Sequence, residues 1–267
     1  MNAAISLSLN FPWQYLKPYL KSFNDKVNAD LFFITDHTPE TIPLKSNKIH
    51  FINFFELAKK YNVASLTPYN LKPILFYLYA KELKTTGRYE NVLITDVDVI
   101  FQDDPFKVYE QNFPKAGLVL CEERHFYKDC ETNSIWYRQG YASSYDQVKD
   151  KKILNCGVTI GPIDQLIEYQ KQVAQELGVV LARQNYFAYD QVILNYFTYV
   201  AKTLNFKILS HSNDFIIHLS QENEIQDLSE WIKNNIICNP KTGNPFVIVH
   251  QFDKKKGLKE FVIKKYE

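Results

Sequence analysis

Apolar residues change their period repeatedly along this chain, and each change marks an element. Ala4-Ile-Ser-Leu-Ser-Leu-Asn10 alternates apolar and polar positions, the two-residue period of a strand. Phe11-Pro12 breaks the alternation, and Tyr15, Leu16, Tyr19, Leu20 and Phe23 then recur at helical spacing from Trp13 onward. Leu31 to Thr35 and Ile49 to Asn53 read as further strands, the second running into a helix. Strand, helix, strand at such short intervals is a signature of parallel pairing. A helix over Leu71 to Leu83 leads through Gly87 to Asn91-Val-Leu-Ile-Thr95, an apolar run of the kind that fills a strand buried on both faces. Further strands are expected at Gly117 to Cys121, Leu154 to Ile160, Phe206 to Leu209, Ile216 to Leu219 and Phe246 to His250, and further helices at Gln165 to Leu177 and Asp190 to Leu204. The sum is an α/β fold, one domain over residues 1–267, with a mixed central sheet flanked by helices. Residues 122–152 stand apart: polar, tyrosine-rich and without a clean period, they read as a long loop or lid over a site.

Composition adds limits. With 46% apolar and 23% charged residues the chain has the make-up of an ordinary globular domain, so the periods describe packed elements. A net charge of +1 argues against a nucleic-acid binder. Lys254, Lys255, Lys256, Lys259, Lys264 and Lys265 nevertheless crowd the end, giving 254–267 as a basic helix or tail. It would touch acidic lipid or an anionic ligand, or else form a solvated helix face. The cysteines, Cys121, Cys130, Cys156 and Cys238, are too few for a disulfide scaffold, and no CxxC pair accompanies Cys121, His125 and Cys130 toward zinc. No apolar run reaches the roughly 18 residues of a membrane span, and no basic-then-apolar leader opens the chain. A cytoplasmic protein with reduced thiols is expected, peripheral to a membrane at most.

The chemistry centres on Asp96-Val97-Asp98, delivered to the C-terminal end of the Asn91 to Thr95 strand. Ligands of open α/β sheets bind beyond that end of the strands. Two carboxylates one residue apart there can share a hard divalent cation, which in turn can neutralise a diphosphate leaving group. Without a cation they would repel each other. The competing reading is a solvated loop before the next helix, a role that suits Asp103 and Asp104, just ahead of Pro105, better.

Val92 to Phe106, VLITDVDVIFQDDPF, resembles the metal-binding signature of GT-A-fold nucleotide-diphospho-sugar glycosyltransferases, and is similar to that of the glycogenin and galactosyltransferase-like retaining family. Later segments match in order: Asn155-Cys-Gly-Val158 resembles the strand facing the donor sugar, Asp190-Gln191 with Leu194-Asn195 a helix-opening element, and Val249-His250 a late histidine. The resemblance implies a Rossmann-like GT-A fold and a hexosyltransferase using a nucleotide-sugar donor, UDP-linked foremost, with a glycan or other hydroxyl acceptor and retention of configuration. It implies Asp96, Asp98 and His250 as ligands of Mn²⁺ or Mg²⁺, Asp190 on sugar hydroxyls, Gln191 near the anomeric carbon, and Asn155 offering an amide to donor or acceptor. One departure stands out: after His250, Gln251-Phe-Asp-Lys254 replaces the family's glycine-lysine-proline phosphate loop.

The residues themselves allow the set, since imidazole suits Mn²⁺ and carboxylates suit hard cations. Each also has a plainer role open to it. His250 could be a hydrogen-bonded core histidine, with His211 competing as ligand; Asp190 could cap its helix; Asn155 could bond a strand edge. Lys72 could meet the diphosphate or lie on a solvated helix face, and Lys254 is a second candidate phosphate partner. Asn10, Phe11 and Asp36 end the first two strands, where a nucleotide would lie in such a fold, with Phe11 able to stack on the base. The tyrosines of 122–152 would pack on acceptor sugar. Two rival functions share these features: a sugar nucleotidyltransferase, which usually needs a glycine-rich loop where this chain has Asn10-Phe-Pro-Trp13, and a non-catalytic nucleotide-sugar-binding protein.

Overall fold

Strand β1 (Asn2–Ser8) opens the chain, and helix α1 (Trp13–Lys26) carries it back to β2 (Asp30–Thr35), after which come β3 (Ile49–Asn53), α2 (Phe54–Lys60), α3 (Pro68–Thr85) and β4 (Asn91–Thr95). The computed structural model describes residues 1–266 except 39–41, 64–67, 182–188, 223–224 and 226. Asn53 caps α2 by accepting from the Glu56 amide, so the strand-to-helix switch expected there has a local cause. The second part of the chain runs through β5 (Val99–Phe101), α4 (Pro105–Asn112), β6 (Leu118–Phe126), α5 (Glu131–Tyr141), α6 (Tyr145–Val148), β7 (Lys152–Leu154) and β8 (Val158–Pro162). It continues with α7 (Ile163–Leu181), α8 (Tyr189–Tyr199), β9 (Phe206–Leu209), β10 (Ile216–His218), α9 (Leu228–Trp231), β11 (Ile232–Lys233), β12 (Ile236–Ile237), β13 (Ile248–His250) and α10 (Lys256–Tyr266).

Eight strands form the central sheet in the order β3-β2-β1-β4-β8-β6-β7, with β9 also paired to β6. The first four are parallel; β8 runs antiparallel to both β4 and β6, so the sheet is mixed. One face is packed by α3, α7 and α8 through Leu71, Leu75, Leu166, Tyr169 and Ile193, the other by α1 and α4 through Leu16, Tyr19, Phe23 and Phe106. The domain is thus α/β with helices on both sides of the sheet. β4 lies in its middle, which explains the apolar run of Val92, Leu93 and Ile94, each no more than 1% exposed.

A second, three-stranded sheet orders β10-β13-β5. β5 starts immediately after Asp98, and its antiparallel partner β13 puts His250 opposite Val99. That register, from two short apolar strands about 150 residues apart in sequence, carries a histidine to the aspartate pair. Asp104 caps α4 by accepting from the Phe106 amide, with Pro105 at the first turn, as expected for that pair of residues.

Two expectations need correction. Residues 122–152 are not a loop: they hold the end of β6, α5, α6 and the first residue of β7, separated by single helical turns. The absence of a clean period has a physical reason, since the segment builds its own small core from Tyr127, Tyr137, Tyr145, Val148 and Ile153 against Val192. Tyr127 and Tyr137 are fully buried and Tyr145 nearly so, so these rings do not offer faces to a sugar. The single strand expected over Leu154 to Ile160 is two strands, β7 and β8, interrupted at Asn155, Cys156 and Gly157. The interruption arises because the Asn155 side chain turns inward, accepting from the Gly157 amide and donating to Glu123. In the tail, α10 buries Leu258, Val262 and Tyr266 and leaves Lys256, Lys259, Lys264 and Lys265 exposed. Among the described residues no helix is long and apolar enough to cross a membrane.

Candidate functional site

Asp96 leaves the end of β4 with its amide bonded to the Gly157 carbonyl at 2.8 Å, so the aspartate loop is tied to the interruption between β7 and β8. Beneath it, the hydroxyls of Ser6, Tyr19 and Thr95 form a buried cluster, with Ser6 to Thr95 at 2.7 Å and Tyr19 to Thr95 at 2.8 Å. This anchors the strand end from which both carboxylates project. Asp98 is fixed by its own carbonyl, which accepts from the Gln251 amide at 2.7 Å. Gln251 has a left-handed backbone (φ 62°), and this turn takes the chain away directly after His250.

The three expected metal ligands come together. One ligand atom each from Asp96, Asp98 and His250 lies within 4.8 Å of the others, and it is such a group among the described residues. His250 Nε2 is 3.2 Å from Asp98 Oδ1 and 3.6 Å from Asp96 Oδ2. It is buried and makes no hydrogen bond. His250 Nδ1 lies 2.7 Å from Nδ1 of His218, the residue in register with it on β10. Burial, then the charge of His250, hold the His218 pKa well below its ordinary value. A neutral His218 can accept from His250 Nδ1–H, which leaves the Nε2 lone pair directed at the carboxylates. Burial alone would lower the His250 pKa, but the negative charges of Asp98 and Asp96 beside Nε2 raise it to about 9. The cluster therefore balances its negative charge with a proton that a cation can replace.

Gly157 forms the floor. A Cβ there would overlap His250 Cε1 and lie 2.6 Å from Asp96 Oδ2 and 2.8 Å from His250 Nε2. Only the absent side chain leaves room between the donors. The site fits a hard divalent cation on three counts: two carboxylates and an imidazole as donors, a buried nitrogen with no protein partner, and a cradle that any side chain would fill.

Lys72 is not on a solvated helix face. Its ammonium, largely buried, bridges Asp96 Oδ1 at 2.7 Å and Asp190 Oδ2 at 3.2 Å. Burial opposes its charge, yet Asp190 and Asp96 together raise its pKa well above the ordinary value. Burial likewise opposes ionisation of Asp96, but Lys72, and after it His250, keep that carboxyl far below the usual range. Asp190 stands in the first turn of α8 and also accepts from the Gln191 amide. Gln191 donates to Asn133 Oδ1 at 2.9 Å, which joins α8 to α5. Asn155 is 3% exposed, and both ends of its amide are used inside the protein, on Glu123 and Gly157. Its placement makes it a support for Gly157 and not an open donor.

The expected nucleotide-side residues gather at the ends of β1 and β2. The Asn10 amide donates to Asp36 Oδ2 at 2.9 Å, with Asn10 itself left-handed, and the exposed Phe11 ring stacks on Tyr15 at 4.8 Å. Tyr15 reaches toward the metal cluster: burial raises its pKa first, and the charges of Asp98 and Asp253 push it further. Lys254 is half exposed and pairs with Asp253 at 2.9 Å. His211 pairs with Glu222 and is not one of the clustered donors.

Four residues of the site escaped the sequence. His218 ends an apolar strand just as His250 does, and that symmetry was its signal. Glu123, 3% exposed, lies on β6 between Glu122 and Arg124, and that polar run hid its burial; burial raises its pKa, with the Asn155 amide working against the shift. Gly157 sits in a matched motif but carries no side chain to draw notice. Asp253, its carboxylate accepting from Tyr15 at 3.2 Å, has no signal beyond lying three residues after His250. No protein-family model matches the chain, and no curated protein matches it.

Proposed function

We propose that the chain is a metal-dependent glycosyltransferase that moves a hexose from a nucleotide-sugar, UDP-linked foremost, to a hydroxyl of a saccharide or other acceptor. The observation that carries this reading is the buried, unpartnered Nε2 of His250 facing Asp96 and Asp98 over Gly157, beyond the end of the central strand. Asp96, Asp98 and His250 would hold Mn²⁺ or Mg²⁺, which when bound neutralises the diphosphate as it leaves. The strand order, with antiparallel β8 between β4 and β6, is compatible with the GT-A assignment.

The chain's own groups divide the remaining work. Lys72 keeps a fixed positive charge beside Asp96, suited to a phosphate oxygen. Asp190, also paired with Lys72, and the adjacent Gln191 would contact the sugar. Phe11, Tyr15, Asn10 and Asp36 form a rim suited to the base and ribose. In the transfer the bond from anomeric carbon to phosphate oxygen breaks, its electron pair leaving with the diphosphate. The acceptor oxygen bonds to that carbon, and its proton passes to a phosphate oxygen. Positive charge builds at the anomeric carbon, as in glycoside hydrolysis. Attack from the leaving-group side retains configuration and requires no protein nucleophile, which accords with an Asp190 already held by Lys72. The exposed lysines of α10 would suit an anionic membrane surface. Thermal unfolding with a panel of nucleotide-sugars, with and without Mn²⁺, tests the reading: stabilisation by one donor only when the ion is present supports it, and no response to any donor sinks it.

A further inference from the structure

A second pocket, of about 340 Å³, opens beside the metal cluster and involves none of its ligands. Its walls come from β6 and β10, the turn after β9, and α9. Strand alternation separates the two sites: Glu122 and Ile217 line the pocket, while their neighbours Glu123 and His218 belong to the metal side. We infer that this pocket binds a saccharide, as a subsite for acceptor sugar units beyond the one that reacts.

The lining chooses the ligand class. Trp231, 9% exposed and held against Phe246 with ring centroids 6.4 Å apart, shows a small part of its ring to the pocket. Around it stand Arg124, Lys152, His211 and Glu222. Glu222 holds two of them, meeting Arg124 Nη1 at 3.0 Å through Oε2 and His211 through its other oxygen; Lys152 donates to the Arg124 carbonyl, and Glu122 and Lys241 complete the charged lining. Lys255, 6% exposed, fixes the Glu222 backbone through a 2.6 Å bond to its carbonyl. A pocket that sets two carboxylates, Glu122 and Glu222, among its cations is a poor receptor for phosphate, which those carboxylates repel. It is a good one for vicinal hydroxyls, each of which donates to a carboxylate oxygen and accepts from a guanidinium or ammonium, while the exposed part of Trp231 offers an apolar contact. The volume lies at the small end of small-molecule sites, which suits one or two sugar rings.

The word acceptor rests on the transferase reading; binding of a saccharide does not. The test is ligand-observed saturation-transfer NMR on the full chain with lactose, maltose, cellobiose and N,N′-diacetylchitobiose, and with inorganic phosphate as a separate arm. At least one disaccharide should bind, and Trp231→Leu should weaken it tenfold or more. Glu222→Gln, which keeps the shape and removes the charge that orders Arg124, should do the same if Trp231→Leu fails to fold. Mn²⁺ and UDP binding, followed by thermal shift on the same samples, should be unchanged in both variants. No binding by any disaccharide, binding indifferent to both substitutions, or phosphate displacing the sugar would overturn the pocket. Loss of the Mn²⁺ and UDP response in the unsubstituted protein would instead sink the transferase reading and leave the pocket standing.

Discussion

Replacing Gly157 by alanine adds one carbon, and the account depends on where that carbon goes. It would overlap His250 Cε1 and sit 2.6 Å from Asp96 Oδ2. Asp96 is partly exposed and can swing aside, but His250 is 1% exposed and its ring is held from behind by His218 at 2.7 Å. No left-handed backbone is required at Gly157, so the substitution acts by volume alone. Overpacking of this kind costs about 1–3 kcal/mol. At about 2–4 °C per kcal/mol for a domain of this size, the metal-free melting temperature should fall by roughly 2–12 °C. The larger effect is on the ion. At a concentration 100 times its dissociation constant a ligand stabilises the native protein by about 2.7 kcal/mol, so Mn²⁺ should raise the melting temperature of the unsubstituted protein by roughly 5–11 °C. In Gly157→Ala that increment should vanish, because the methyl group fills the space between the donors. Calorimetric unfolding with and without Mn²⁺, backed by a direct titration, reads both numbers. A variant that folds and still binds Mn²⁺ as tightly as the parent would refute the assignment of the cradle.

Three further outcomes follow from the same geometry. With the His250 pKa raised to about 9 from an unfolded value near 6.5, its charge contributes stability that is complete below about pH 6.5 and is lost as pH rises through about 9; metal-free melting should drop across that window while apparent Mn²⁺ affinity climbs, and a flat Mn²⁺ affinity over it would count against His250 as a ligand. Lys72→Met should leave Mn²⁺ binding intact or tighter, because Asp96 loses a competing cation, yet weaken UDP about tenfold or more in a binding titration; equal UDP affinity would remove Lys72 from the diphosphate site. Asn155→Ala removes one hydrogen bond from the buried Glu123 and the acceptor of the Gly157 amide at a cost of about 1–3 kcal/mol, and should loosen Mn²⁺ about tenfold, whereas an effect on melting alone would make Asn155 purely structural.

The fold and the metal cluster were legible to different depths, for identifiable reasons. Val92 to Thr95 announced a central strand because burial on both faces demands an unbroken apolar run, and the carboxylates at its end followed from where such strands deliver side chains. The pairing of β13 with β5, which brings His250 to the aspartates, is long-range: three-residue apolar segments hold too little pattern to name their partners. Residues 122–152 misled for the opposite reason. A miniature core in which three of six buried side chains are tyrosines carries polar atoms at half of its positions, so its period is hidden from a hydropathy pattern. Lys72 was open to a diphosphate role or a solvated helix face, because charge on a helix usually is solvated, and only the fold sets its ammonium between Asp96 and Asp190. Paired side chains such as His218 with His250, or Asn155 with Glu123, become visible only when the strands that carry them are side by side.

The most direct test of the central claim is the product formed from a nucleotide-sugar. Incubated with UDP-glucose or UDP-galactose and Mn²⁺, with and without saccharide acceptors, the protein should release UDP. Release should stop on chelation and fall about 100-fold or more in Asp98→Asn, as removal of several kcal/mol of leaving-group stabilisation requires. UTP formed from the UDP-sugar only when pyrophosphate is added, with no UDP released, or UDP release that is untouched by chelation and by Asp98→Asn, would contradict the account.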